Sequence, residues 1–201
     1  MKKNGYSLVE FVFAVVMATV IVFIVTIFAK NAINFNSSSQ SSMNAIFESR
    51  KILSTMVSEL RSTAPSAMGS YSIESAATSS IVFFADVNSD DISDRIRYFL
   101  DPNTRAVQRG VILATGEPPG YTVAETFSTI VSDIGNGAST ALFDYYDGNY
   151  AGTTSPLSIP VNIASIRMVK ITIKVERDPN KPSELMTFSS QASLRNLKDN
   201  L

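Results

Sequence analysis

The spacing of hydrophobic and polar positions divides the chain into stretches with different periods. From Phe11 to Ala29 it reads FVFAVVMATVIVFIVTIFA, without a charge, a Gly or a Pro. Wound as a helix, a run of that length crosses a hydrocarbon layer about 30 Å thick. A Ser-rich tract follows from Ser37 to Ser42, and its composition alone is that of a flexible linker. Just beyond it, Met43, Ile46, Phe47, Leu53, Met56, Val57 and Leu60 recur mostly at three- and four-residue steps, with Glu48, Arg50, Lys51, Glu59 and Arg61 largely off that stripe. This is the pattern of an amphipathic helix, and Pro65 supplies its stop. The two patterns predict one helix running from the apolar run through the Ser tract to about Ala64, with its stripe packed on the sheet that follows.

From Thr78 onward the period changes to two. The segments SIVFFAD, DRIRYFLD, AVQRGVI, ALFDYYD, IRMVKITIKVE and LMTFSSQASL are rich in β-branched or aromatic residues and are bounded by turn residues. Ile166 to Glu176 alternates best: Ile166, Met168 or Val169, Ile171, Ile173 and Val175 stand against Arg167, Lys170, Thr172, Lys174 and Glu176. Such a strand has one buried and one wet face. Between Gly110 and Pro160 turn residues accumulate, including Gly116-Glu117-Pro118-Pro119-Gly120 and Asn136-Gly137, which predicts long surface loops interrupted by short strands. The predicted architecture is α+β, a long amino-terminal helix laid on an antiparallel sheet.

Composition narrows the function. A formal net charge of −1 with dispersed charges gives no basic patch for nucleic acid, so none is expected as a partner. The chain has no Cys and no His, which removes thiol nucleophiles, imidazole bases and the usual transition-metal ligands. Any catalysis would rest on carboxylates, Lys, Tyr or Ser. The phosphate-binding Gly-rich loops and the G-x-S-x-G nucleophile turn are absent. Asp86 and Asp144 could do acid–base work only if the fold brought them together. The expectation is a protein that is not an enzyme and needs no cofactor.

Compartment is read from the amino terminus. Lys2 and Lys3 precede the apolar run, and Lys30 alone follows it closely, so the positive-inside bias keeps the short leader cytoplasmic and the remainder outside. A secretory signal has a shorter apolar core and a small-x-small cleavage site, a spacing that Ala29-Lys30-Asn31-Ala32 lacks. Glu10, set between Leu8-Val9 and Phe11-Val12-Phe13, has no basic neighbour on the run. At mid-membrane an acidic residue costs ~2.5–3.5 kcal/mol on insertion scales, so the residue implies a partner, a function, or a position at the interface where the charge reaches water.

The segment Gly5-Tyr6-Ser7-Leu8-Val9-Glu10, followed at once by the apolar run, resembles the amino-terminal signal of type IV prepilins and type II secretion pseudopilins. Tyr6 stands where Phe is commoner. The resemblance implies cleavage after Gly5 by a prepilin peptidase, N-methylation of the new terminus at Tyr6, and assembly through Glu10, whose carboxylate meets the terminal amine of a neighbouring sibling subunit. It divides the chain into a leader (1–5), a membrane-spanning part (6–29), an amphipathic continuation (30–64) and an extracytoplasmic sheet domain (65–201). The body resembles the J-like minor pseudopilins and related minor pilins through FFADVNSDDISDRIRYFLD, FDYYDGNY, IRMVKITIKV and ASLRNL. Membrane, sibling pilins and the peptidase are the partners so implied. A plain single-pass anchor, or an anchored binding module using the loops between Gly110 and Pro160, remains the alternative.

One loop invites a metal. Asp86, Asn88, Asp90 and Asp94 place oxygen ligands as the first part of a calcium loop does. Asp91 stands where a Gly usually makes the sharp turn, and Arg97 where a bidentate Glu belongs. The same residues also suit a plain acidic hairpin tip. Asp144, Asp147 and Asn149 form a second acidic turn beside Gly148, which favours the turn reading there.

Overall fold

The computed structural model describes residues 7–137, 140–176 and 185–194, and of residues 38, 41, 42, 44 and 45 the backbone alone. One helix, α1 (Leu8–Arg61), precedes eight strands: β1 (Ile73–Ala76), β2 (Ser80–Ala85), β3 (Asp94–Asp101), β4 (Ala106–Ile112), β5 (Thr126–Val131), β6 (Phe143–Tyr146), β7 (Met168–Glu176) and β8 (Leu185–Ser193). A 3-10 turn at Ile163–Ser165 leads into β7. Strands β1 to β5 form an antiparallel sheet in sequence order, and β6-β7-β8 form a second antiparallel sheet. The fold is α+β. The chain makes two compact units, Met1–Met43 and Asn44–Leu201.

In the first unit, Leu8–Ser37 is long and apolar enough to cross a membrane, and none of it is buried. With no Gly or Pro in the run, nothing interrupts the ladder of backbone hydrogen bonds. Thr19 and Thr26 do not spoil it. Their hydroxyls donate back to the carbonyls of Val15 or Val16 and of Val22, at 2.8–3.0 Å, so neither polar group needs water.

In the second unit the last turns of α1 bury Leu53, Met56, Val57 and Leu60 in one core with both sheets. The predicted stripe is corrected at its start: Phe47 and Met43 are exposed, while Ser49 is buried, its hydroxyl without a hydrogen-bond partner among the described residues. At 100° per residue Phe47 lies about 120° around the helix from Leu53, too far to share its face. The helix also stops at Arg61, a turn short of Ala64. The Ser62 and Thr63 hydroxyls donate to the carbonyls of Glu59 and Leu60, tightening the end, and the Ala64 N–H turns to the carbonyl of Phe84 in β2.

Ile73, Ile81, Phe83, Ile96, Tyr98 and Val107 supply the core from the five-stranded sheet, and Phe143, Tyr145, Val169, Ile171, Ile173 and Val175 from the other. Each full burial stabilises by about 1.5–3 kcal/mol before entropy is counted. In β7 the alternation resolves to Val169, with Met168 only half-buried. The sheets are joined where Leu142 and Phe143 donate to the Thr78 carbonyl at 2.9 and 3.0 Å. The Tyr145 hydroxyl reaches the carbonyls of Ala77 and Ser80. Six predicted strands are present, whereas β1 lies before Thr78, where no strand is expected. Strand β5 falls in the stretch read mainly as loop. Both are sheet edges with several exposed positions, and a strand that buries little need not carry the period-two signal.

Candidate functional site

Gly5 and Tyr6 lie outside the described residues. Glu10 sits in the first turn of α1, whose start is made by the Ser7 carbonyl accepting from the N–H groups of Glu10 and Phe11 at 3.0 and 3.1 Å. The exposed backbone N–H groups of a first turn favour an anion there by about 0.3–1 kcal/mol. Among the described residues no basic side chain pairs with Glu10. The next basic residue along the helix, Lys30, is about 30 Å away at 1.5 Å per residue. The carboxylate is exposed in a field of exposed Leu, Val and Phe, and no described residue supplies its counter-charge.

The acidic loop between β2 and β3 is built on its own backbone. One Asp86 oxygen accepts from the N–H of Ser89 at 2.7 Å and of Asp90 at 3.3 Å, and the other from Asp91 at 3.0 Å. Asp90 accepts from the Ile92 N–H and from the Asn88 amide. Asp91, at the position where a Gly usually turns a calcium loop, does take the left-handed conformation, with φ 65°, as does Ser89 at φ 62°. Asp tolerates that region better than most side chains. Asp94 is buried and is held by backbone on two sides: one oxygen accepts from the Ala114 N–H at 2.8 Å and the other weakly from Val87 in the loop. Burial pushes its carboxyl above the ordinary value, against the pull of those two N–H groups. No group of three or more His, Cys, Asp or Glu side chains among the described residues is placed to hold a metal ion. In the second acidic turn, Asp147 caps the Asn149 N–H at 3.0 Å.

Sequence reasoning put Glu59 on the wet side of the helix. It is instead the polar link between α1 and the five-stranded sheet. Arg109 of β4 grips it with two N–H groups, at 2.9 and 3.1 Å, and the Tyr98 hydroxyl of β3 donates to it at 2.7 Å. Burial, then the Glu59 charge, raises the Tyr98 hydroxyl far above its ordinary range, so it stays a donor. Two further bidentate pairs sit on this sheet, Arg97 with Glu125 and Arg95 with Glu74.

At one end of the same sheet is a cleft of about 580 Å³ lined by Tyr71, Ile73, Phe84, Ile112, Tyr121 and Ile163, with the Glu74–Arg95 pair on its wall. Tyr121 is held rigidly. Its hydroxyl donates to the Ser93 carbonyl at 2.7 Å and accepts from the Ala67 N–H at 2.9 Å, and its ring lies 5.3 Å from that of Phe84. The Tyr121 hydroxyl and the Glu74–Arg95 pair already have partners, and the largely apolar and aromatic lining suits a small apolar side chain or ring. Of the Gly110–Pro160 stretch proposed for ligand recognition, Ile112 and Tyr121 reach this cleft. Sequence signals for it were slight, since Tyr71, Phe84 and Tyr121 read as ordinary aromatics. Asp86 lies in the loop after β2 and Asp144 in β6 of the other sheet, and no hydrogen bond or ion pair joins them among the described residues. Burial raises the Asp144 carboxyl, with Lys170 acting against it.

No protein-family model matches the chain, and no curated protein matches it.

Proposed function

We propose that this chain is a minor subunit of a type II secretion pseudopilus or a type IV pilus, membrane-anchored and assembled through its amino-terminal helix. The observation that carries the reading is the exposed apolar surface of Leu8–Ser37, broken near its start by the carboxylate of Glu10, which pairs with no described residue. A helix apolar all round needs an apolar surrounding, first lipid and then the helices of neighbouring subunits. In this scheme the Lys2-Lys3 leader stays cytoplasmic and the sheet unit lies outside. The peptidase cuts after Gly5, Tyr6 becomes the methylated terminus, and its amine on one subunit meets Glu10 of the next. Two opposite charges in low dielectric attract strongly, but desolvation offsets much of the gain, so the pair selects register more than it stabilises.

The cleft beside Tyr121 favours a second reading, an anchored binding module in which α1 is a tether. One experiment separates the two. Mass spectrometry of the chain recovered from membranes should find a terminus at methylated Tyr6, and Glu10→Gln should leave that mass unchanged while removing the subunit from sheared filaments. An intact Met1 or a cut near Ala32 sinks the filament reading, and wild-type incorporation of Glu10→Lys would make Glu10 merely an interfacial residue.

A further inference from the structure

The two sheets have four edges, and three of them are protected. Strand β1 is four residues long, carries Glu74 paired to Arg95, and shifts register between Ile73 and Ser75. Strand β5 is bulged, since Val131 faces Val107 and Thr129 faces Gln108, leaving Ile130 without an opposite. Strand β6 is four residues long, and the Leu157 N–H covers its Tyr145 carbonyl at 2.8 Å. Short, charged, bulged or covered edges are how folded proteins keep strands from pairing with one another.

Strand β8 has none of these devices. It runs nine residues, LMTFSSQAS, in unbroken register with β7 from Leu185 to Ser193, without a charge, a Pro or a Gly. It is the last strand of its sheet, and among the described residues nothing hydrogen-bonds to the backbone groups on its outer side. A row of open N–H and C=O groups on a straight uncharged strand is a template for one more strand.

We propose that β8 is a strand-pairing edge and that its partner is β8 of a second copy of this chain. The strand's own side chains suit that occupant, since none is charged and those on its exposed face from Thr187 to Ser193 are polar. Paired antiparallel about a two-fold axis at Ser189, the two strands set Ser189 opposite Ser189, Thr187 opposite Gln191 and Phe188 opposite Ser190, so no like charges meet. Thr187, Ser189, Gln191 and Ser193 stand exposed on one face, and each can both donate and accept, which makes the column complementary to itself. The result is a six-stranded sheet continuous across two copies, β6-β7-β8 joined to β8-β7-β6. An interface of two strands is smaller than the standard ~1,200–2,000 Å², so the pairing is concentration-dependent.

The chain has no Cys, which makes the test clean. Full-length protein bearing Ser189→Cys, mildly oxidised in its own membranes, should form a disulfide-linked dimer, because residues facing one another across strands lie within the ~4.4–6.8 Å that a disulfide spans. Thr187→Cys and Gln191→Cys should cross-link when co-expressed and much less when alone. Ser128→Cys on the β5 edge reports random collision. Ser189→Lys in the paired Thr187→Cys and Gln191→Cys chains sets like charges opposite and should cut the dimer several-fold. An unchanged melting temperature shows that the sheet itself survives each substitution. A Ser189→Cys dimer no more abundant than the Ser128→Cys one overturns the proposal, as does a cross-link solely to a protein of another mass.

Discussion

At its amino end α1 presents Phe, Val and Ile on every side and buries none of them, whereas its last turns bury Leu53, Met56, Val57 and Leu60 and leave Ser54, Thr55 and Ser58 wet. The same backbone ladder serves both regions. The first has no polar face, so one sheet laid against it would leave most of its apolar surface uncovered. The second has a stripe that one partner covers. Helical secondary structure therefore says little about environment, and the distribution of side chains around the axis decides it.

The largest test of this contrast is a matched pair of truncations. Leu60→Ala should lower the stability of the sheet unit by about 2–5 kcal/mol, read as a fall in its melting temperature, because the cavity lies among α1 and the strands. Val22→Ala should leave that melting unchanged within about 0.5 kcal/mol, since its side chain is exposed and belongs to the other compact unit. An equal loss from both would erase the distinction between the regions.

Next comes the polar link. Glu59→Gln keeps the shape but leaves Arg109 without its counter-charge, at a cost of about 1–3 kcal/mol. Both side chains retain about a fifth of their exposure, so water screens part of the effect. A double-mutant cycle with Arg109→Gln checks the assignment: the two losses should sum to more than the loss of the double variant. Strict additivity would mean that the pair adds nothing beyond its packing.

The smallest effect belongs to the acidic loop. Asp86→Ala removes the acceptor for three backbone N–H groups at an exposed turn and should cost about 1 kcal/mol. Because the loop is held by its own hydrogen bonds, millimolar calcium should move neither the wild-type melting temperature nor that of Asp86→Ala. A calcium-dependent rise in the wild type that Asp86→Ala abolishes would assign the loop an ion.

Much of this molecule was legible from local pattern. The apolar run, the absence of Gly and Pro within it, and the alternation from Ile166 to Glu176 each depend on neighbours a few residues apart, and helix and strand follow from such short-range sterics and burial. Of the segment from Gly5 to Glu10, the structure gives the place of Glu10 in the first turn of α1. What tertiary structure alone decided lies between distant residues. Glu59 meets Tyr98 and Arg109 from 39 and 50 positions away, so its partner depended on which strands lay under the helix. The same dependence turned Phe47 out and Ser49 in, and it gathered Tyr71, Phe84 and Tyr121 around one cleft. It also left β8 at an edge with a strand on one side. Sequence period fixes which face of an element is apolar, but strand order and crossing determine what that face meets, and no local period encodes either.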